Sequence, residues 1–184
     1  MSPTAVKSNW QDAASAAIAN RDATIPAEWL LPKSAYPLPL DSTGLLASSG
    51  ILSAAELDIV SQSAKALAAS IAARKLTSVQ VTTAFCKAAA IAQQATNCLT
   101  ELFVPEALAR AAELDAYLER TGRTVGPLHG VPVSIKCHVD IEGHDSPSGF
   151  LSLVGKMKAK EDALAVGVLR NAGAVFYCSK LSEG

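Results

Sequence analysis

Gly126-Pro127-Leu128-His129-Gly130-Val131-Pro132-Val133-Ser134-Ile135-Lys136 is the stretch on which the reading of this chain turns. Side chains alternate across a strand with period two. Val131, Val133 and Ile135 therefore share one face, and Pro132, Ser134 and Lys136 share the other. Lys136 closes the strand at its C-terminal end, where open α/β sheets place their ligands. A lysine shielded from water at such a place favours its neutral amine, which can serve as a general base. The same pattern also fits a solvated lysine at a strand end. The sequence expects a mostly shielded amine that points into a cleft beside the following loop, Gly143-His144-Asp145-Ser146-Pro147-Ser148-Gly149.

Working outward, the segments on either side predict an α/β fold. Glu161 to Asn171 reads as a helix with Ala163, Val166 and Leu169 on one face, and Gly173 suits its C′ position. Ala174 to Cys178 is apolar without alternation, as in a strand covered on both faces. Upstream, Ser53-Ala54-Ala55-Glu56 and Thr77-Ser78-Val79-Gln80 are two capping boxes. The first opens a segment carrying Leu57, Ile59, Val60, Leu67 and Ile71, readable as two short helices. The second opens a helix to about Gln94, with Val81, Ala84, Phe85 and Ala88 at helical spacing. Leu99 to Val104 reads as a strand, and Pro105 as the first turn of a helix running to about Arg120. Ser8 to Ala19 reads as a further helix with Trp10, Ala14 and Ile18 on one side. Between them lies an arm from Ile25 to Gly50, punctuated by Pro26, Pro32, Pro37 and Pro39 and expected to wrap the surface.

The expected fold class is α/β: N-terminal helices followed by the first strands of a mixed, largely parallel sheet flanked by helices. Val131 to Lys136 is expected to be its central strand. Residues 1–50 form an N-terminal helix and proline-rich arm, and residues 51–184 one domain. With 184 residues and 49% hydrophobic content, a sizeable core is within reach. A formal net charge of −1, with both signs scattered, offers nothing to nucleic acid or an anionic membrane. No apolar run is long enough to span a bilayer, and Met1 to Gln11 has no apolar signal region. Cys86, Cys98, Cys137 and Cys178 form no C-x-x-C pair, so free thiols in a cytoplasmic setting are expected.

The region from Gly126 onward resembles the amidase signature family, most closely the branch with fungal acetamidases and fatty-acid amide hydrolases. The resemblance rests on the block just quoted, on Gly143-His144-Asp145-Ser146 and Asp162-Ala163, and on Leu169, Gly173-Ala174-Val175 and Ser179-Lys180-Leu181-Ser182-Glu183. The helical part from Gly50 to Leu118 is similar to the family's N-terminal helices. The resemblance implies a hydrolase that cleaves linear carboxamides with a Ser-cisSer-Lys triad and no metal or organic cofactor. It maps the lysine onto Lys136 and allows a homodimer in the full-length form. Both serines belong to a glycine- and serine-rich loop that this sequence lacks; Ser146 and Ser148 match the loop after the lysine instead. The expectation is therefore an N-terminal part of an amidase domain, truncated before that loop and inactive by itself. An inert product that binds a full-length relative is the alternative. Two departures stand out: Cys137 replaces a residue that is often acidic, and Leu181-Ser182 follows Lys180 where Thr-Asn is usual.

Rival chemistry is weaker. Cys137, His138, Asp140, His144 and Asp145 match no strong zinc spacing. Asp145 reads as an Asx loop organiser, and His129 as a structural histidine. Gly143 and Gly149 read as turn residues. The last expectation concerns stability: without later strands, Ala174 to Cys178 should lie at an open sheet edge, leaving the isolated chain marginally stable.

Overall fold

A computed structural model describes residues 10–180. The helices are α1 (Trp10–Asp22), α2 (Leu45–Ser48), α3 (Ala54–Ser61), α4 (Ala64–Ala72), α5 (Ser78–Thr96), α6 (Val104–Thr121) and α7 (Leu164–Asn171). The strands are β1 (Leu99–Leu102), β2 (Pro132–Lys136) and β3 (Val175–Lys180). Both capping boxes form as the spacing dictates. Ser53 accepts from the Glu56 N–H while Glu56 accepts from the Ser53 N–H. Thr77 and Gln80 do the same at the start of α5. Gln62 and Ser63 separate α3 from α4, so the apolar run after Ser53 is two short helices. Pro105 sits in the first turn of α6, and Gly173, at φ +93°, follows the end of α7.

The sheet is mixed, in the order β1-β3-β2, with β1 antiparallel and β2 parallel to β3. This corrects two expectations. The central strand of the described sheet is β3, not the strand ending at Lys136. Nor is the Ala174–Cys178 segment an open edge, because β3 is paired on both sides. The reason lies upstream: after α5 the chain runs β1 back along β3, with Phe103 N–H donating to the Tyr177 carbonyl at 2.9 Å. The two edges of the described sheet belong to β1 and β2. In a parallel pair a residue's N–H and C=O point to the same side. Val131 accepts from the Val175 N–H, and Cys137 donates to the Lys180 carbonyl. The odd-numbered residues thus face β3, and the main-chain groups of exposed Ser134 face outward.

The two faces of the sheet carry separate cores. Val175 and Cys178 pack with Cys86, Ala90, Ala111 and Leu114 beneath α5 and α6. Phe176 and Ile135 pack on the other face with Val166, Ile141 and Phe103. A register shift at Tyr177 lets residues 175 and 178, three apart, share a face. Cys86 and Cys178 are buried as expected, and burial pushes each thiol up to about 12.

Three further expectations change. The arm is more than a surface wrap: Ile25 and Trp29 enter the first core, and Leu31 is also buried. Gln94 fixes it to α5, accepting from the Leu31 N–H at 2.8 Å and donating to the Trp29 carbonyl at 3.0 Å. α1 runs to Asp22, past the expected end at Ala19, and buries none of its residues; the expected start at Ser8 lies outside the described residues. α7 begins at Leu164 rather than Glu161, because the Asp162 side chain turns to Arg170 and to the Glu142 N–H.

Candidate functional site

Lys136 is the last residue of β2, and its side chain is half-buried. Its Cα partner across the parallel pairing is Lys180, so two lysines stand side by side where the two strands end. Beyond Lys136 the chain turns at once, with the Val139 N–H donating to the Lys136 carbonyl at 3.0 Å.

The following loop folds back as an irregular hairpin. Gly143 and Ala159 are joined by Gly143 N–H to Ala159 carbonyl at 3.0 Å, and Ala159 donates to the His144 carbonyl at 2.9 Å. Ser146 donates to the Met157 carbonyl at 3.0 Å. Asp145 holds the crossing: its carboxylate accepts from the Gly155 N–H at 2.6 Å and the Met157 N–H at 2.8 Å. It does organise the loop, but across ten and twelve residues rather than as an Asx turn. Ser146 and Pro147 are buried. Ser148 and Gly149 both take positive φ, and the Ser148 N–H reaches the Cys137 carbonyl at 3.4 Å. The loop thereby brings Ser146–Gly149 to the end of the strand that carries Lys136.

The remaining sequence candidates separate. Cys137 is buried, while His138 and Asp140 are exposed. His144 packs against Phe103 with the rings tilted by 49° and their centroids 4.0 Å apart, and its Nδ1 lies 3.8 Å from Glu101 Oε2. Among the described residues no three His, Cys, Asp or Glu side chains converge on one point. His129 is 2% exposed, and its Nδ1 accepts from the Val125 N–H at 3.0 Å, a structural bond that closes the turn into β2. Burial lowers its pKa, partly opposed by Asp115 and the Leu114 carbonyl.

Sequence reasoning missed the surroundings of His144. A cavity of about 200 Å³ is lined by Phe103, Glu106, Arg110, His144, Arg170 and Phe176 among others. Glu101, beside it, has its carboxyl pushed up to about 7 by burial, with Asp145 and Glu106 adding repulsion. Burial also lowers the His144 pKa. Glu101 sits on β1, 43 positions before His144, and no local motif links the two. Lys136 lines neither this cavity nor the groove between residues 38–46 and α5.

Comparison with known proteins places this arrangement. The Amidase family model matches residues 80–181, which spans both β2 and β3. An amidase of Gibberella moniliformis is 44% identical over 92% of the chain, and an acetamidase of Emericella nidulans is 44% identical, also over 92%. The chain belongs to the amidase family. A solved fatty acid amide hydrolase superposes on 94% of this amidase chain with a TM-score of 0.85 at 32% identity. The mixed sheet with its flanking helices is thus the amidase signature fold as far as the chain carries it. The chain spans about a third of the length of these relatives: 33% and 30% of the two fungal enzymes and 31% of the solved hydrolase. No helix among the described residues is long and apolar enough to cross a membrane.

Proposed function

We propose that this protein serves amide hydrolysis, supplying Lys136 as the general base of a Ser-cisSer-Lys triad that cleaves a linear carboxamide to an acid and ammonia or an amine. One observation carries the reading. In a chain of the amidase family, Lys136 ends a parallel strand and the Ser146–Gly149 turn is folded against that same end. In that role the lysine takes a proton through the cis serine, and the nucleophilic serine attacks the amide carbon. Backbone N–H groups stabilise the oxyanion, and the proton passes to the leaving amine before water releases the acid. Both serines match no position in this sequence. The reaction so written uses no metal or organic cofactor. The substrate is a small molecule, and the setting is cytoplasmic.

The test is Lys136→Ala in a version of the protein that carries the remaining amidase sequence. Loss of a general base lowers the rate by about a hundredfold to ten-thousandfold. Activity within a few-fold of the parent removes Lys136 from the mechanism. Residues 1–184 by themselves should hydrolyse neither acetamide nor benzamide, since members of a catalytic unit act together.

The outer edge of β2 supports a second reading, in which the chain is inactive and binds a full-length relative. The main-chain groups of Ser134 offer a partner strand its hydrogen bonds. Co-purification with such a relative, without hydrolysis by the chain itself, favours this reading over the first.

A further inference from the structure

The hairpin after β2 contains a charged group that its own backbone has captured. Loops of this length usually rely on turn chemistry within two or three residues. Here Asp145 reaches across the loop and accepts from both Gly155 and Met157. These are short bonds to an ionised acceptor, roughly twice as strong as neutral ones. The two amides lie on the returning limb, while Ser146, Pro147, Ser148 and Gly149 follow Asp145 directly on the outgoing limb. The turn between them is conformationally demanding. Ser148, at φ +51°, occupies the left-handed region that L side chains rarely adopt. Such a turn persists only when its surroundings over-determine it. Two anchors do so: the Asp145 clamp on one side, and the Ser148 N–H on the Cys137 carbonyl on the other. Cys137 follows Lys136 directly, so the second anchor ends one residue past the lysine.

We propose that Asp145 is a positioning residue for Lys136: its carboxylate fixes the Ser146–Gly149 turn against the end of β2 and through that turn sets the surroundings of the lysine amine. The inference rests on the reading of Lys136 as the base, but its test does not use hydrolysis. The lysines of the 184-residue chain are reductively methylated with ¹³C, and the Lys136 methyl resonance is assigned from its disappearance in Lys136→Arg. Amide exchange is followed in parallel at Gly155, Met157 and Ser148.

Asp145→Ala should speed exchange at Gly155 and Met157 by at least about tenfold, the loss expected when a charged acceptor is removed. It should also move the Lys136 resonance, while those of Lys65 and Lys75, on and just after α4, stay in place. Asp145→Asn keeps one carbonyl acceptor and should give smaller changes in the same direction. It is also the informative variant if Asp145→Ala does not fold. An unmoved Lys136 resonance beside a loosened loop would reduce Asp145 to a loop clamp and overturn the proposal. Unchanged exchange at both amides would overturn it as well. Failure of the amidase reading has a separate signature, namely hydrolysis that survives Lys136→Ala.

Discussion

Asp115 holds two helices together in a way that can be measured. It lies on α6, yet its carboxylate caps the N-terminus of α5. The Ser78 N–H donates to Oδ1 at 2.6 Å and the Val79 N–H to Oδ2 at 3.0 Å. The first N–H groups of a helix have no intrahelical acceptor, and Ser78 is fully buried. In Asp115→Ala the Thr77 capping box still serves Gln80, but two donors lose their acceptor. A hydrogen bond to a charged group contributes about 1.5–3 kcal/mol, and a carboxylate at a helix N-terminus adds about 0.3–1 kcal/mol. The two bonds share one carboxylate and do not add in full, so the expected loss is about 3 kcal/mol. For a chain of this size that lowers Tm by roughly 6–12 °C. Asp115→Asn keeps one acceptor and should lose about half as much. Urea unfolding followed by far-ultraviolet circular dichroism reads the difference, with Glu113→Ala as control, since Glu113 is exposed and pairs with Arg110. A loss for Asp115→Ala no larger than that of the control would refute the argument that this helix start depends on a carboxylate from its neighbour.

Two further outcomes follow from the same kind of reasoning. Glu101, with its carboxyl raised from 4.5 to about 7 by burial, holds its proton more tightly folded than unfolded. Its stabilising effect is therefore complete below pH 4.5 and is lost as the pH rises towards 7. The full linkage would be about 3 kcal/mol. The side chain is 37% exposed, which reduces the expected loss to about 1–2 kcal/mol. Glu101→Gln should flatten this dependence in urea titrations between pH 5 and 8, and parallel curves for the two proteins would count against it. Gly173→Ala should destabilise by about 2–4 kcal/mol, because strain at φ +93° is joined by a Cβ 2.8 Å from the His129 Cα. Gly155→Ala, at φ +77° in open space, should cost only about 1–2 kcal/mol. Equal losses for the two would show that the approach to His129 has no energetic consequence.

Much of the helical part, and the place of Lys136 at a strand end, were readable from local spacing. Ser53 with Glu56 and Thr77 with Gln80 satisfy helix starts within three residues, so the sequence determined those boundaries. Pro105 and Gly173 mark a helix entry and exit for reasons that lie in their own backbones. Lys136 was legible because period-two alternation ends on it, in a block that resembles one family. What lay beyond local spacing depended on partners far along the chain. Strand order was not readable, because several apolar runs can occupy the middle of a sheet and register is settled by the cores they join. Here β3 takes the middle because Val175 and Cys178 complete one core and Phe176 the other. Nor did the sequence mark Asp115 as the cap of another helix, Asp145 as a clamp across its loop, or Glu101 as the neighbour of His144. A carboxylate reads as surface charge until the fold removes its water and supplies its donors, and that was decided only by the tertiary structure.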